Sequence, residues 1–398
     1  MARRVGDAVI VYFGGTAYDG VAGTDRQLTD RLAALAPVLY VDPPISLATP
    51  LLRPHLAGSL DGPPLRRQAR DLYRLIPRAL PGAYRPGMHH VTAALVRRAT
   101  RQAAGRLGRR VTAVVIATFD AGLLGAVPGA RTVFYATDDL VAGAGLIGLP
   151  ARRMEKARDR LLARADAVAA VSPRLRDDFR DRGRDAEMIP TGCAPEAYEG
   201  IDTAPWPPDL AGFGRDRPAA GFVGHINARI DMGVLEGVAA AGHPLLLVGP
   251  HDPAHEPARF RALTARPNVR WTGRKSFAEL PPYLRAIKVG LTPYARSAFN
   301  DASFPIKTLE YLAAGRAVVA TDLPSARWLR ESDPEGAELI RTEAADGFVR
   351  AVGAELAAAD PAGATGRRRR FAARHDWTHR ARALARLLDI DREEVPAP

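Results

Sequence analysis

The sequence has little cysteine and little lysine, and both shortages limit what the protein can be. Cys193 is the single cysteine among 398 residues, so no disulfide can form within the chain and no cysteine-based metal site is available. There are only four lysines, so arginine supplies nearly all the positive charge behind a formal net charge of +12. A lysine at a patterned position therefore carries more weight here than in an ordinary chain.

Long apolar runs and targeting signals are also missing. No stretch of about 18 consecutive apolar residues occurs, so we predict no membrane-spanning helix. The apolar run near the N-terminus is short and ends at Gly14 and Gly15, which predicts no signal peptide. These features predict a cytoplasmic protein.

Features that would indicate nucleic acid, a dinucleotide or a metal are absent as well. Aromatic residues make up 7% of the chain and do not alternate with basic residues, as a platform for stacking bases would require. The glycines after the first strand do not have the dinucleotide spacing, and the histidines lack metal-type clustering. We expect no nucleic-acid partner and no metal, whereas a weak contact of a basic face with anionic lipid stays open.

Short apolar runs that alternate with helical patterns predict an α/β fold. A chain of 398 residues suits two domains, and each half repeats the strand–helix alternation that is typical of a doubly wound parallel sheet. The strands predicted for the first half are 7–15, 37–44, 111–119, 131–139, 166–172 and 186–192. Those predicted for the second half are 219–226, 243–250, 268–274, 289–294 and 317–323.

The domain boundaries follow from proline and glycine. We predict a first Rossmann-like domain over residues 1–203, a proline-rich linker over 204–218 and a second Rossmann-like domain over 219–372. A C-terminal helix is predicted over 373–398, and a crossing back to the first domain stays open. Residues 47–90 are interpreted as helical segments and loops. Ligands of such sheets bind at the carboxyl ends of strands, and a cleft between the domains is the expected site.

The segment "FPIKTLEYLAAGRAVVATDLP", residues 304–324, has the pattern most suggestive of a ligand site. Pro305 suits the first position of a helix, and Lys307 then lies in the first turn, where free N–H groups favour an anion. Glu310 follows one turn later on the same face. A lysine that can bind phosphate and a carboxylate that can bind ribose hydroxyls predict a nucleotide-binding site. A surface ion pair is the alternative.

Three other predicted strands end in glycine at the same edge of the second sheet. Gly224 would let the backbone approach a ligand, and Arg229 could add a charge-assisted hydrogen bond. Gly249 and Gly273 end the next two strands, and Arg274 could stack on a base. Ordinary turns explain each of these glycines equally well.

The segment 305–324 resembles the donor-binding helix and following strand of GT-B-fold glycosyltransferases. The pattern Pro-x-Lys-x-x-Glu-Tyr-Leu-Ala-x-Gly is similar to family 4 and to the teichuronic-acid biosynthesis glycosyltransferases. "VFYATDDLVAG" at residues 133–143 and "FVGHINARIDMGVLE" at 222–236 resemble further segments of these enzymes. Ala302 departs from the pattern, because many family-4 enzymes have a glutamate near this position; Asn300, Asp301 and Ser303 lie close by in sequence.

The resemblance implies a GT-B fold of two Rossmann-like domains that face each other across a cleft, with the donor bound by the second. The donor-binding residues expected are Gly224, His225, Arg229, Gly249, Gly273, Arg274, Tyr294, Pro305, Lys307, Thr308 and Glu310. The catalytic candidates in the first domain are Asp138, Asp139 and Asp19. A carboxylate there would deprotonate an acceptor hydroxyl or stabilise an oxocarbenium-like centre, whereas an N-cap is the structural alternative for the Asp138–Asp139 pair.

The activity implied is metal-independent transfer of a sugar from a nucleoside diphosphate sugar, with UDP or dTDP, to an acceptor hydroxyl or amine. The acceptor would be a natural product or a cell-surface glycan, and the protein a monomer or homodimer with no cofactor beyond the donor as co-substrate. Two alternatives stay open: a sugar-nucleotide epimerase of GT-B-like fold, and a catalytically degenerate GT-B protein that activates a partner enzyme.

Overall fold

The computed structural model describes residues 8–20, 23–46, 48–49, 58, 61–82, 85, 87–146 and 148–390, and these fall into two compact units. The N-terminal unit holds the described residues up to Val171, then Leu175–Pro190, then those from Trp377 onward. The C-terminal unit holds Ser172–Arg174 and Thr191–Asp376. The boundaries that the sequence suggests at residues 203, 218 and 372 stay predictions.

An eight-stranded sheet in the order β10-β9-β8-β7-β1-β2-β5-β4 forms the centre of the N-terminal unit. Its neighbouring strands are parallel, except that β4 and β5 are antiparallel; β3 and β6 form a separate parallel pair. The strands are β1 (Ala8–Phe13), β2 (Val38–Val41), β3 (Ile45–Ser46), β4 (Leu65–Ala69), β5 (Leu72–Leu75), β6 (Arg78–Ala79), β7 (Arg110–Ile116), β8 (Arg131–Ala136), β9 (Ala167–Ala170) and β10 (Glu187–Met188).

Continuous apolar runs produce the middle strands of this sheet. Val9–Phe13 of β1 and all of β2 are buried, as strands covered on both faces require. The strand order reverses between β1 and β7, and ligands of open parallel sheets bind beyond the strand ends at such a reversal.

Helices complete the N-terminal unit. The helix Trp377–Leu387 packs against the helix Thr24–Leu32, and Arg131 Nε donates to the carbonyl of Leu387 at 2.6 Å. The helices of this unit are Thr24–Leu32, Met88–Arg106, Ala151–Arg164, Pro173–Asp181 (from Leu175 onward) and Trp377–Leu387, with a 3₁₀ turn at Ala121–Leu123.

The prediction of helical segments within residues 47–90 was wrong for 65–79. Those residues form β4, β5 and β6, because Leu72, Leu75 and Ile76 bury their side chains in the sheet and prolines on either side keep the segments short. Residues 47, 50–57, 59–60, 83–84 and 86 lie outside the described residues.

A six-stranded parallel sheet in the order β13-β12-β11-β14-β15-β16 forms the centre of the C-terminal unit. The order reverses between β11 and β14, which makes the carboxyl ends of these two strands the expected ligand position. The strands are β11 (Ala219–Val223), β12 (Leu245–Val248), β13 (Val269–Trp271), β14 (Ile287–Thr292), β15 (Ala317–Thr321) and β16 (Ile340–Glu343).

Helices cover both faces of this second sheet, and the strand–helix alternation predicted from the sequence is confirmed. Phe348, Ala351 and Val352 bury one helix against β11, β14 and β15. The helices are Met232–Ala240, Pro257–Thr264, Leu280–Arg285, Ala298–Ala302, Ile306–Ala313, Pro324–Glu331, Gly336–Leu339, Ala345–Ala357 and Ala364–Ala373, with 3₁₀ turns at Pro195–Tyr198, Ile201–Thr203, Pro208–Leu210 and Phe277–Glu279.

Candidate functional site

The helix Ile306–Ala313, called the Lys307 helix below, begins after Pro305, which occupies the N-cap position. Lys307 Nζ lies 2.7 Å from Glu310 Oε2, one turn further on. The side chains are 21% and 10% exposed, so both are shielded from solvent and still reachable. The spacing predicted from the sequence thus produces an ion pair at the helix end where free N–H groups favour an anion.

The charge of Lys307 is maintained by its neighbours. Burial lowers the pKa of Lys307, but the Glu310 carboxylate and, more weakly, Tyr294 outweigh it and hold the pKa above its usual value. Burial and then Glu310 raise the pKa of the Tyr198 hydroxyl, which therefore stays protonated. Lys307 is a fixed cation at neutral pH.

Tyr311 attaches the Lys307 helix to the reversal point of the second sheet. The N–H of Val223, the last residue of β11, donates to Tyr311 Oη at 2.8 Å. The ring passes over Gly290 of β14, where an added Cβ would lie 2.2 Å from the ring. Because both contacts involve the strands at which the order reverses, the helix is fixed beside the expected ligand position.

Arg229 is oriented by the buried side chain of Asn300. Its Nε donates to Asn300 Oδ1 at 3.1 Å, and Asn300 Nδ2 donates in turn to the carbonyls of Arg229 and Ala295. The guanidinium also lies 5.4 Å from the Tyr294 ring centre and 4.8 Å from that of Phe299. Tyr294 thus lies beside Arg229 and also contributes to the raised pKa of Lys307.

The glycines after β11 and β12 allow two strand ends to come close together. At Gly249, with φ of 138°, an added Cβ would lie 2.0 Å from the carbonyl oxygen of Gly224. Gly249 therefore has a packing reason to be glycine. His225 is exposed, and partial burial, together with Arg274 and His251, lowers its pKa despite Asp252, so the imidazole is neutral at neutral pH.

Gly273 and Arg274 lie at the open end of β13. Gly273 has φ of 68°, and no described atom lies within 4 Å of where a Cβ would be. Its carbonyl accepts from the N–H of Gly249 at 2.8 Å. Arg274 is exposed, so both residues are available to a flat ligand.

Thr308 and the segment before the Lys307 helix are mostly buried. Thr308 is 2% exposed, which leaves it little access to a ligand. Ala302 is buried as well, and neighbouring Asp301 has one carboxylate oxygen, Oδ1, that is buried without a hydrogen-bond partner among the described residues. Asp301 is a carboxylate near the position where the family pattern has glutamate.

The two adjacent aspartates of the N-terminal unit have different contacts. Asp139 Oδ1 accepts from the N–H groups of Val141 and Ala142, both at 3.0 Å, which is a capping role. Asp138 is half-buried. Burial and Asp25 raise the pKa of the Tyr135 hydroxyl, and Asp138 adds to this effect. Asp139 thus stabilises a turn rather than the start of a helix, because the next helix of the described residues is Ala151–Arg164.

Asp19 is paired with a buried arginine. Arg74, 1% exposed, bonds to Asp19 and also to the buried Asp42, whose Oδ2 accepts from Arg74 Nη2 at 2.6 Å. Tyr18 N–H donates to the other oxygen of Asp42 at 3.2 Å. The Arg74–Asp42 pair therefore holds the loop after β1 through both Asp19 and Tyr18.

Two carboxylates at the reversal point of the first sheet, the buried Asp25 and the half-buried Asp120, were missed in the sequence. Asp120 follows β7. Burial raises its pKa, although the N–H of Gly122 and the nearby Arg153 and His89 act to lower it. Asp25 accepts hydrogen bonds from the Tyr12 hydroxyl and the Gly15 N–H, both at 2.9 Å, and burial raises its pKa too. The position of each just after a strand or glycine loop was the available signal.

Two other kinds of feature are absent from the described residues. No group of three or more His, Cys, Asp or Glu side chains is placed there to hold a metal ion. No helix in the same part of the chain has the length and apolar content needed to cross a bilayer.

Sequence comparison relates the C-terminal unit to known transferases. Residues 220–357 match the family described as Glycosyl transferases group 1. The chain is 34% identical over 179 residues to TuaH of Bacillus subtilis strain 168, named as a teichuronic acid biosynthesis glycosyltransferase. That match covers 43% of this chain and 44% of the relative, so it spans less than half of the relative's length.

Structural comparison confirms the GT-B fold that the sequence resemblance predicts. Sucrose-phosphate synthase from Thermosynechococcus elongatus superposes with a TM-score of 0.73 at 17% identity, over 96% of this chain and 98% of that one. Anabaena HepE in complex with UDP and glucose superposes at 0.66 with 14% identity, over 96% and 99%. An E. coli trehalose-6-phosphate protein bound with UDP-2-fluoro glucose gives 0.68 at 13% identity, over 96% and 99%.

Proposed function

We propose that the protein is a glycosyltransferase that moves a sugar from a nucleoside diphosphate sugar to an acceptor hydroxyl or amine. Every expected donor residue, from Gly224 to Glu310, lies within the segment that matches the Glycosyl transferases group 1 family. The observation that carries the proposal is the Lys307–Glu310 pair at the start of a helix that Tyr311 fixes to the reversal point of the sheet.

Lys307 is proposed to stabilise the leaving diphosphate. Negative charge builds on the β-phosphate as the glycosidic bond breaks, and a pre-oriented cation favours that state over the bound donor. The free N–H groups of the first helical turn add to this effect. Arg229, held by Asn300 and by two aromatic rings, supplies a second cation that needs no reorganisation.

Glu310 and the end of β13 are proposed to bind the nucleoside. The Glu310 carboxylate would accept from ribose hydroxyls while it keeps Lys307 protonated. The open space at Gly273 and the exposed Arg274 suit a flat base. HepE is described with UDP and glucose, which supports UDP as the first nucleotide to test, with dTDP as the alternative.

The N-terminal unit is proposed to bind the acceptor and to supply a carboxylate. Asp138 keeps its proposed role because Asp139 already accepts from two backbone N–H groups, and Asp120 joins it because burial raises its pKa. A natural product or a cell-surface glycan is the proposed acceptor class. A cytoplasmic location, a metal-independent reaction and a monomeric or homodimeric state stay predictions.

Ligand-dependent thermal stability tests the donor site directly. UDP and dTDP are each titrated into wild-type protein, Lys307→Ala and Lys288→Ala, and the unfolding temperature is followed. A ligand at 100 times its dissociation constant adds about 2.7 kcal/mol to the free energy of unfolding. We expect one of the two nucleotides to stabilise wild type and Lys288→Ala, and Lys307→Ala to need at least tenfold more of it.

Lys288 is a matched control because it lies near the amino end of β14 and donates to the carbonyls of Leu356 and Ala358, away from the carboxyl edge. Release of UDP from UDP-glucose, with and without added acceptors, then measures turnover. Absence of stabilisation by any nucleoside diphosphate would exclude the proposal, and so would an equal response of the two lysine variants.

A further inference from the structure

Nearly all the net charge of the protein comes from one part of the N-terminal unit. Residues 43–119 contain thirteen arginines, no lysine and two acidic residues, Asp61 and Asp71, and so carry +11 of the formal net charge of +12. No acidic residue occurs from Leu72 to Phe119. A charge of one sign concentrated in a fifth of the chain needs an explanation other than overall composition.

The structure exposes several of these arginines together with apolar side chains, whereas Arg74 is buried. Val91, Arg98 and Arg101 of the helix Met88–Arg106 are exposed. Because they are seven and three residues apart, they lie along one face of the helix. Val91 is 43% exposed. β6 packs against this helix, and the residue after it, Leu80, is 51% exposed. Leu80, Arg85, Val91, Arg98, Arg101 and Arg106 are called the arginine face.

The arginines of this face are not neutralised by carboxylates. Among the described residues, no carboxylate lies within ion-pair distance of Arg85, Arg98 or Arg106. Arg101 Nη1 donates to the carbonyl of Ala126, which satisfies a proton but leaves the charge. Asp71, one of the two acidic residues of the segment, is already paired with Arg70 and Arg109. The face therefore presents uncompensated positive charge.

We propose that the arginine face binds an anionic lipid surface. Each arginine near such a surface gains about 1 kcal/mol from its potential, and clusters of four to eight basic residues suffice for recognition. Leu80 and Val91 are exposed apolar side chains of this face, and apolar side chains that reach a headgroup boundary add to the attraction. The proposal does not depend on the transfer reaction.

Exposed leucine and valine favour a lipid surface over an anionic polymer. A polymer of carboxylates or phosphates would use the arginines and gain little from Leu80, since it offers no apolar layer. A lipid surface uses both. The two kinds of partner therefore differ in their response to the apolar substitution and to salt.

Vesicle flotation of the full chain tests the proposal. Vesicles of phosphatidylcholine alone and with about 30% phosphatidylglycerol are compared at about 0.1 M and 1 M salt, where the screening length falls from about 10 Å to 3 Å. We expect binding that requires phosphatidylglycerol and weakens at high salt. Arg98→Gln combined with Arg106→Gln should lower the partition coefficient about 30-fold, from about 1 kcal/mol per arginine.

Two further variants separate the contributions. Arg261→Gln with Arg266→Gln removes two exposed arginines from the C-terminal unit and should leave partitioning within twofold of wild type. Leu80→Gln should lower it about fivefold at both salt concentrations, because it removes about half of a buried leucine's contribution. Since all five positions are at the surface, unchanged circular dichroism and unfolding temperature confirm that each variant is folded.

Several results would overturn the proposal. One is failure of wild type to float with anionic vesicles. Another is an equal loss in the two double variants, which would indicate attraction by net charge alone. A third is failure to bind vesicles combined with binding to polyglutamate that is equally strong in wild type and Leu80→Gln. This result would identify an anionic polymer as the partner.

Discussion

Three aspartates that are indistinguishable by residue type have different chemistry because of their contacts. Asp19 is neutralised by Arg74, Asp139 accepts from two backbone N–H groups, and partial burial raises the pKa of Asp120. The last arrangement lets Asp120 hold a proton to higher pH than an ordinary aspartate does. At this scale, the partner of a residue decides its role.

Replacing Lys307 by alanine should slow transfer about 10²–10³-fold, since one pre-oriented group that stabilises developing charge is worth about 2.7–4 kcal/mol. Lys307→Arg should restore part of the rate, because the charge is kept while the geometry toward Glu310 changes. Steady-state kinetics with UDP-glucose measures both. An alanine variant that turns over like wild type would remove Lys307 from the mechanism.

Asp25 makes stability depend on pH in a predictable direction. Burial raises its folded pKa above the usual value of 3.8, against the opposing hydrogen bonds from Tyr12 and Gly15. The stabilisation by the protonated form is therefore complete below that value and is lost as pH rises through the folded pKa. Relative to Asp25→Asn, the free energy of unfolding of wild type should fall as pH increases from about 4.

Urea denaturation at several pH values measures this difference. Asp185→Asn, at a side chain that is 99% exposed, controls for the loss of one charge. A difference between wild type and Asp25→Asn that rises with pH would show that hydrogen bonds to the carboxylate outweigh burial.

At the scale of elements, one hydroxyl connects the Lys307 helix to the sheet. Tyr311→Phe keeps the ring over Gly290 but leaves the buried N–H of Val223 without an acceptor. We expect the free energy of unfolding to fall by about 1–3 kcal/mol, the usual cost of an unsatisfied buried donor. Chemical denaturation gives this value.

Tyr283→Phe is the matched control within the same unit. Its hydroxyl bonds to Asp209, whose side chain is 40% exposed and can turn to water instead. The loss there should be below about 1 kcal/mol. Equal losses in the two variants would contradict the special role of the Tyr311 contact.

The sequence predicted most elements that position the site, and the reason is local. Continuous buried runs define β1, β2, β11 and β12, and the proline before Lys307 marks the start of its helix. β4 and β5 were missed, because their antiparallel pairing depends on Leu65, Leu72 and Leu75 meeting the rest of the sheet rather than on a strong alternation of their own.

At the scale of the whole molecule, each unit has its own sheet and its own core, so donor binding should stabilise them unequally. With UDP at 100 times its dissociation constant, amides that exchange only through unfolding of the C-terminal unit should slow about 100-fold. The core amides of β1 should be unchanged. Hydrogen exchange followed by mass spectrometry measures both.

The strands β11 and β14 and the Lys307 helix are the segments to compare with β1 in this experiment. Protection confined to the N-terminal unit would place the nucleotide on the other sheet and exclude Lys307 as its partner. Uniform slowing in both units would show that they unfold together.

The strand–helix alternation, the one-turn spacing of Lys307 and Glu310, and the net charge of +11 in residues 43–119 all follow from the order of the amino acids. These properties are set by neighbours along the chain. The pairing of Arg74 with Asp19, 55 residues away, and the hydrogen bond that Tyr311 accepts from a backbone group 88 residues away arise from the folded structure. Such pairings depend on burial and on strand order, which bring distant residues into contact and which no local pattern contains.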